Sequence, residues 1–304
     1  MHIYIFSRGL ALYSTQSLLK AGVKRGHRME VIDHYRCNLV VQSKRPRIMY
    51  ENRLLPKADA VIPRIGASVT FQGASVIRQV ESMRVFTAVR ADALLRSRDK
   101  LHCLQLLAQA GIDVPRSFYV NHLDDLPWLL EGLGGEPVVI KLLESTHGVG
   151  VILAEQRATA LSIIEAFQRT KERVIVQEFI REAAGTDIRA FVVDGKVVAT
   201  MKRRATNGDF RSNLHLGAVA ELTQLSTEEE EIVLKATKVL GLPIAGVDLL
   251  RSDRGPLVME VNASPGLEGI EGVTGVDIAG AIIEYVERGV KRKYGSPNRR
   301  RHVQ

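Results

Sequence analysis

Apolar and polar positions along this chain alternate between two periods. Residues 2–7 form an apolar run of strand length. Leu18, Leu19, Ala21 and Val23 then recur at helical spacing between Ser14 and Gly26, and residues 29–33 are strand-like again. Residues 58–63 and 74–83 repeat the change from strand to helix. This order predicts a parallel sheet with helices on its faces. The first turn, S-R-G-L-A, lacks G-x-G-x-x-G, so a dinucleotide fold is not supported. Residues 50–55 read as a small β-excursion. Residues 92–110 read as a helix or helix pair, with Leu101, Leu104, Leu107 and Ala108 apolar and Gly111 ending it. An extended segment follows at 112–120. Asp124 and Asp125 then precede a short helix whose Trp128 is assigned to the core.

From residue 138 onward the strand period dominates. Strands are expected at 138–142, 149–154 and 174–180, with a helix over 158–168. A hairpin follows, turning at Asp194-Gly195, a good two-residue reversal. Residues 208–217 form a polar loop. A helix over 227–240 opens with Ser226 and a run of glutamates, which suits capping and the helix dipole. The final helix is expected over 277–288.

Between these last two helices lies G-V-D-L-L-R-S-D-R-G-P-L-V-M-E-V-N-A-S-P-G-L-E-G, residues 246–269. It reads as two strands joined by a turn built from Asp253, Gly255 and Pro256. A turn centred on Arg254 sets Asp248 opposite Glu260, with Asn262 on the same face two residues on. Val247 and Leu249 then pair with Val261 and Met259. Like charges directly opposed destabilise a strand pair. Either a hard divalent cation held by oxygen ligands compensates, or the two acids are simply solvated.

Size and charge narrow the field. The chain has 304 residues, 45% hydrophobic and 25% charged, which suits a soluble protein of about two domains. No apolar run reaches the roughly 20 residues of a membrane span, and no signal peptide is read at the N-terminus. Cys37 and Cys103 form no framework or metal cluster and suit a reducing cytoplasm. The net charge is +8, from 42 basic and 34 acidic residues. Lys291, Arg292, Lys293, Arg299, Arg300 and Arg301 carry most of it; without them the body is +2. The tail from 289 is therefore read as a solvated basic end.

Other residues suggest phosphate chemistry. Lys100 stands at a helix start and Lys141 at a strand end. Between the strands at 138–142 and 149–154 lies S-T-H-G-V-G, residues 145–150, whose backbone N–H groups could fold over phosphates as a lid; His147 sits at its tip. It is not a Walker A loop. Alternatively, Gly148 makes a hairpin and Lys141 reaches out to water.

Taken in order, V-I-P-R-I-G, the two lysines, the glycine loop, V-I-V-Q-E-F-I, D-I-R, R-R, G-D-F-R-S-N-L-H and L-V-M-E-V-N-A-S-P-G-L-E-G-I-E resemble the ATP-grasp superfamily, specifically its ribosomal protein S6–glutamate ligase branch. The resemblance covers residues 1–288. It implies an α/β (α+β) ATP-grasp fold over 100–288, its lid half running to about 178. A parallel α/β pre-ATP-grasp domain over 1–99 would precede it, and a basic tail over 289–304 would follow. It implies ATP contacts from Lys100, Lys141, the lid residues Ser145, Gly148 and Gly150, the hinge Glu178, Phe179 and Ile180, and Asp187. Arg211, Ser212 and Asn213 would line the phosphate side, and Arg203, Arg211 and Asn213 would serve catalysis. Asp248, Glu260 and Asn262 would hold two Mg²⁺ or Mn²⁺ ions. Arg64, Arg189, Ser264 and Gly266 would meet the substrates.

The implied reaction is ATP-dependent amide formation between a carboxylate and the amine of L-glutamate. The implied partner is the C-terminus of ribosomal protein S6, in the cytoplasm. A homo-oligomer is expected, and neither a membrane nor a specific nucleic acid is. Two rivals stand beside this reading: a glutamate ligase acting on a small molecule or cofactor, and a non-catalytic ribosome- or RNA-binding protein.

Overall fold

The computed structural model describes residues 1–143, 150–206 and 208–295, with only the backbone of His215. Four sheets organise the chain. The first is fully parallel, in the spatial order Arg28–Ile32, His2–Phe6, Ala60–Pro63, Phe86–Thr87. Its central strands are apolar on both faces, as a parallel sheet covered by helices requires. The expected excursion is a small antiparallel sheet of Asn38–Val40, Arg47–Tyr50 and Arg53–Leu54. The expected 92–110 element is two helices, Ala91–Arg98 and Lys100–Gln109, broken at Asp99, whose carboxylate caps the second by accepting from the His102 N–H at 3.0 Å.

The third sheet is antiparallel, in the order Val151–Ala154, Val138–Leu142, Val174–Glu178, Ser117–Tyr119. The fourth, also antiparallel, runs Val219–Leu222, Lys196–Arg204, Thr186–Val193, Ile244–Ser252, Gly255–Asn262. Asp194 and Gly195 both adopt positive φ (50° and 74°), the conformation a two-residue hairpin reversal needs. Ser226 and Glu229 form a full capping box at the start of the Thr227–Leu240 helix. Among the described residues, no helix is long and apolar enough to cross a membrane.

The core divides unevenly. One cluster runs continuously from the N-terminal sheet through Cys103 and Leu107 into the fourth sheet and the last helix. The third sheet has its own core, from Val120, Leu126 and Leu130 to Ile164 and Val176. The third sheet is thus packed around its own core, whereas the Lys100–Gln109 helix contributes Cys103 and Leu107 to the larger one.

Three expectations are corrected. Trp128 is 74% exposed: Leu126 and Leu130, four apart, face the core, and Trp128 falls on the other side of that helix. The last helix spans Ile278–Tyr294 and buries Val290, so Lys291, Arg292 and Lys293 form its final turn, where cations suit the helix dipole. Arg299–Arg301 lie outside the described residues. Finally, Leu249 pairs with Val258, not Met259.

Candidate active site

The third correction concerns the hairpin that carries the acids. Its tight turn sets Ser252 against Gly255, and that register continues through Leu249 opposite Val258. A bulge then adds Met259, and Asp248 comes to face Glu260 as expected. Both carboxylates and Asn262 line a single cleft of about 1220 Å³ between the first, third and fourth sheets. Single-ligand pockets run to roughly 1,000 Å³, so there is room for a nucleotide and a second substrate.

Asp248 is compensated by protein. Arg189 donates from Nε and Nη2 to its two oxygens at 2.7 Å each, and Arg203 Nη2 lies 2.9 Å from Oδ2. Burial alone would raise the Asp248 carboxyl, but Arg189 and Arg203 hold it well below the usual range. Asp187 is raised by burial and by Asp248, against Arg203 and the Ser212 hydroxyl, which donates to it at 2.5 Å. Arg203 stays above its ordinary value: burial works against the charge, and the two aspartates outweigh it.

Glu260 differs. It is exposed, with no ion-pair partner within 4.0 Å among the described residues. Asn262 Oδ1 accepts from the Ser264 N–H at 3.0 Å and keeps acceptor capacity. Among the described residues no three His, Cys, Asp or Glu side chains cluster as a self-sufficient metal site. The donor set therefore fits a magnesium-type ion taking few protein oxygens and the rest from phosphates, with Glu260 and Asn262 as the available ligands. Asp248 enters such a site only by sharing its oxygens with Arg189 and Arg203.

The lysines meet at the end of the Val138–Leu142 strand. Lys141, in the central Val138–Leu142 strand, donates to Gln177 Oε1 at 2.6 Å, and Gln177 donates to Ser117 Oγ at 2.8 Å. Burial pushes Lys141 down to about 8, with Lys100 adding to the shift and Glu260 opposing it. Lys100 Nζ donates to the Leu142 and Leu143 carbonyls at 3.1 and 3.0 Å, and burial lowers it too. Ser145, His147 and Gly148 lie outside the described residues. Gly150 does not line the cleft; its φ of 74° and the closeness of the Leu142 side chain mark a tight return into the Val151–Ala154 strand.

Phe179 and Ile180 line the cleft directly after the Val174–Glu178 strand. The Glu178 carboxylate is tied down: it accepts from the Arg116 N–H and Nε at 2.7 and 2.9 Å, and pairs with Arg254 at the turn of the hairpin that carries the acids. Burial would raise it, yet Arg254 and Arg116 hold it below its usual value. Arg211 lines the cleft folded back on Asp209, with Nη2 at 2.9 Å from Oδ2. Ser212, Asn213, Ser264 and Gly266 also line it. Arg64 does as well, donating to the Pro265 carbonyl at 2.6 Å. Arg189 does not line the cleft; its guanidinium is committed to Asp248. Arg98, which sequence reasoning passed over, does line it. Cys103 lines it too, but burial pushes its thiol up to about 12, so it supplies no thiolate at neutral pH.

A family model for the RimK-like ATP-grasp domain matches residues 97–286, and one for the RimK PreATP-grasp domain matches residues 1–94. A "Probable alpha-L-glutamate ligase" of Vibrio cholerae serotype O1 is 53% identical over 293 residues, covering 96% of this chain and 97% of that protein. One of Teredinibacter turnerae is 52% identical over 291 residues, with 96% and 97% covered. Among solved structures, a RimK domain ATP-grasp protein from Sphaerobacter thermophilus superposes with a TM-score of 0.70 at 23% identity, covering 94% of this chain and 100% of that one. The ATP-grasp ligase PsnB, complexed with a precursor variant, Mg and ADP, gives 0.72 at 21% identity, with 95% and 98% covered. The chain therefore belongs to the RimK-like ATP-grasp family and is an ATP-dependent ligase.

Proposed function

We propose that this protein joins a substrate carboxylate to the amine of L-glutamate, using ATP with Mg²⁺ or Mn²⁺, and that its acceptor is the C-terminus of ribosomal protein S6. The observation that carries the reading is the convergence on one cleft of Lys100, Lys141, Arg203 and Arg211 with Glu260 and Asn262. The name shared by the close relatives supports glutamate as the amine substrate.

In the reading proposed, the donor carboxylate oxygen attacks the γ-phosphorus, and ADP leaves. The amine nitrogen of glutamate then attacks the acyl phosphate carbon, and phosphate departs with its oxygen as the amine loses a proton. No covalent enzyme nucleophile is needed. Lys100 and Lys141 orient and neutralise the phosphates, Phe179 and Ile180 present the hinge to the base, and Arg211 and Asn213 stabilise the transferring group. Two bound divalent ions, held by Glu260 and Asn262 with Asp248 beside them, would supply charge neutralisation at the phosphates. The separate core of the third sheet favours its closure over the nucleotide. The cytoplasmic setting and a homo-oligomeric state belong to the same proposal.

Incubation with ATP, Mg²⁺ and labelled glutamate tests it. Label is expected in S6, with one ADP released per glutamate. Label confined to a small molecule would leave the ligase chemistry standing and remove S6; ADP release without any glutamate uptake would remove both.

A further inference from the structure

Arg64 and Arg98 enter the cleft from adjoining elements of the N-terminal half. Arg64 directly follows the Ala60–Pro63 strand, and Arg98 ends the Ala91–Arg98 helix. Their hydrogen bonds go to backbone carbonyls: Arg64 Nη2 to Pro265 at 2.6 Å and Ser264 at 3.4 Å, Arg98 Nη2 to Ile65 at 2.7 Å. Neither guanidinium has a carboxylate within 4.0 Å among the described residues. The Arg98 Nε is buried and has no hydrogen-bond partner.

Two neighbouring, half-buried cations, one with an orphaned donor and with Glu260 acting on it only through space, gain from an anion that joins them directly. A carboxylate satisfies both needs, because a guanidinium fork matches its geometry. The donor carboxylate is a poor candidate, since it is consumed at the γ-phosphate. The amine-bearing substrate keeps its carboxylates throughout the reaction and needs a lasting cationic partner. Arg64 also holds the loop that follows Asn262, so a carboxylate bound here sits beside the Glu260 and Asn262 end of the hairpin.

We infer that Arg64 and Arg98 together bind a carboxylate of the amine-bearing substrate, an acidic amino acid. The inference rests on the glutamate-ligase reading above. Arg98→Gln and Arg64→Gln are compared with the wild-type full chain in steady-state kinetics and in thermal melts with and without L-glutamate. The KM for glutamate should rise about ten- to hundredfold, as the loss of a charged hydrogen bond implies, while the KM for ATP stays within about twofold. For Arg98→Gln the melting temperature without ligand should hold or rise, because one of two repelling cations is gone; Arg64→Gln also loses its bonds to Ser264 and Pro265 and is read on KM alone. L-glutamate should raise the wild-type melting temperature and leave that of the variants unmoved. With the α-amide or the γ-amide of glutamate, one analogue should erase the difference between wild type and variant, marking the bound carboxylate. If the wild type ligates glutamate and the variants keep its KM within about twofold, the inference fails and the ligase reading stands. A lower melting temperature with unchanged glutamate KM would mark Arg98 as structural and also overturn it. If the wild type ligates no glutamate under any condition, the reading itself fails and the inference falls with it.

Discussion

Arg203 and Asp187 are joined by two hydrogen bonds of 2.6 Å each, from Nε and Nη2 to the two carboxylate oxygens, and both side chains are buried. The same guanidinium reaches Asp248. Arg203 is therefore shared by Asp187 and Asp248. Replacing it leaves two buried carboxylates facing each other across a lost cation. Arg203→Met should cost about 3–5 kcal/mol of stability, as breaking a buried pair does. Urea denaturation checks this; a loss below about 1 kcal/mol would contradict it.

Glu260→Gln should behave in the opposite way. Glu260 is exposed with no ion-pair partner within 4.0 Å among the described residues, so stability should shift by no more than about 0.5 kcal/mol. Turnover should nevertheless fall by at least the roughly 10–100-fold typical of lost metal-site support. Paired melts and steady-state rates separate the two effects.

Lys141 gives a pH signature. Its folded pKa is about 8, below its ordinary value. The fold therefore disfavours the charged form, and that cost is fully present below pH 8. As pH rises from about 8 towards the ordinary lysine value near 10.4, the cost disappears and the apoprotein gains stability. ATP affinity should move the other way, weakening over the same interval as the cation is lost. Nucleotide binding near pH 8.5 should take up protons, measurable by calorimetry in buffers of different ionisation enthalpy. Lys141→Met should remove both trends.

Arg254 ties the hairpin turn to the nucleotide hinge through Glu178. The arginine side chain is 44% exposed, so screening limits its worth to about 1 kcal/mol. Arg254→Ala should weaken ATP binding about fivefold while leaving the fold intact. An unchanged dissociation constant would show that Arg116 alone fixes Glu178.

At Gly266 an added Cβ would meet no atom within 4 Å. Gly266→Ala should melt like the wild type. If this residue shapes the substrate pocket, the variant should raise the KM of a substrate other than ATP, a result that parallel titrations of each substrate would reveal.

The sequence carried the parallel first sheet, the Asp194-Gly195 hairpin and the facing of Asp248 and Glu260, because these follow from local periodicity and turn chemistry. The last was reached through an incorrect turn centre, rescued by the bulge at Met259, a one-residue irregularity without a local signal. Trp128 went astray because a seven-residue helix offers too few turns to mark its buried face. Arg189 as the partner of Asp248, and Arg98 as a cleft residue with an orphaned Nε, depend on where distant strands and helices meet. Spacing along the chain does not encode such contacts. Residue type could flag Arg98 only as one basic side chain beside Lys100.

The most direct test of the account is the intact mass of purified ribosomal protein S6 after incubation with this protein, ATP, Mg²⁺ and L-glutamate. Added glutamyl residues are expected at the S6 C-terminus, absent without ATP and strongly reduced with Glu260→Gln. An unchanged S6 mass in the presence of fully folded, ATP-binding wild-type protein would contradict it.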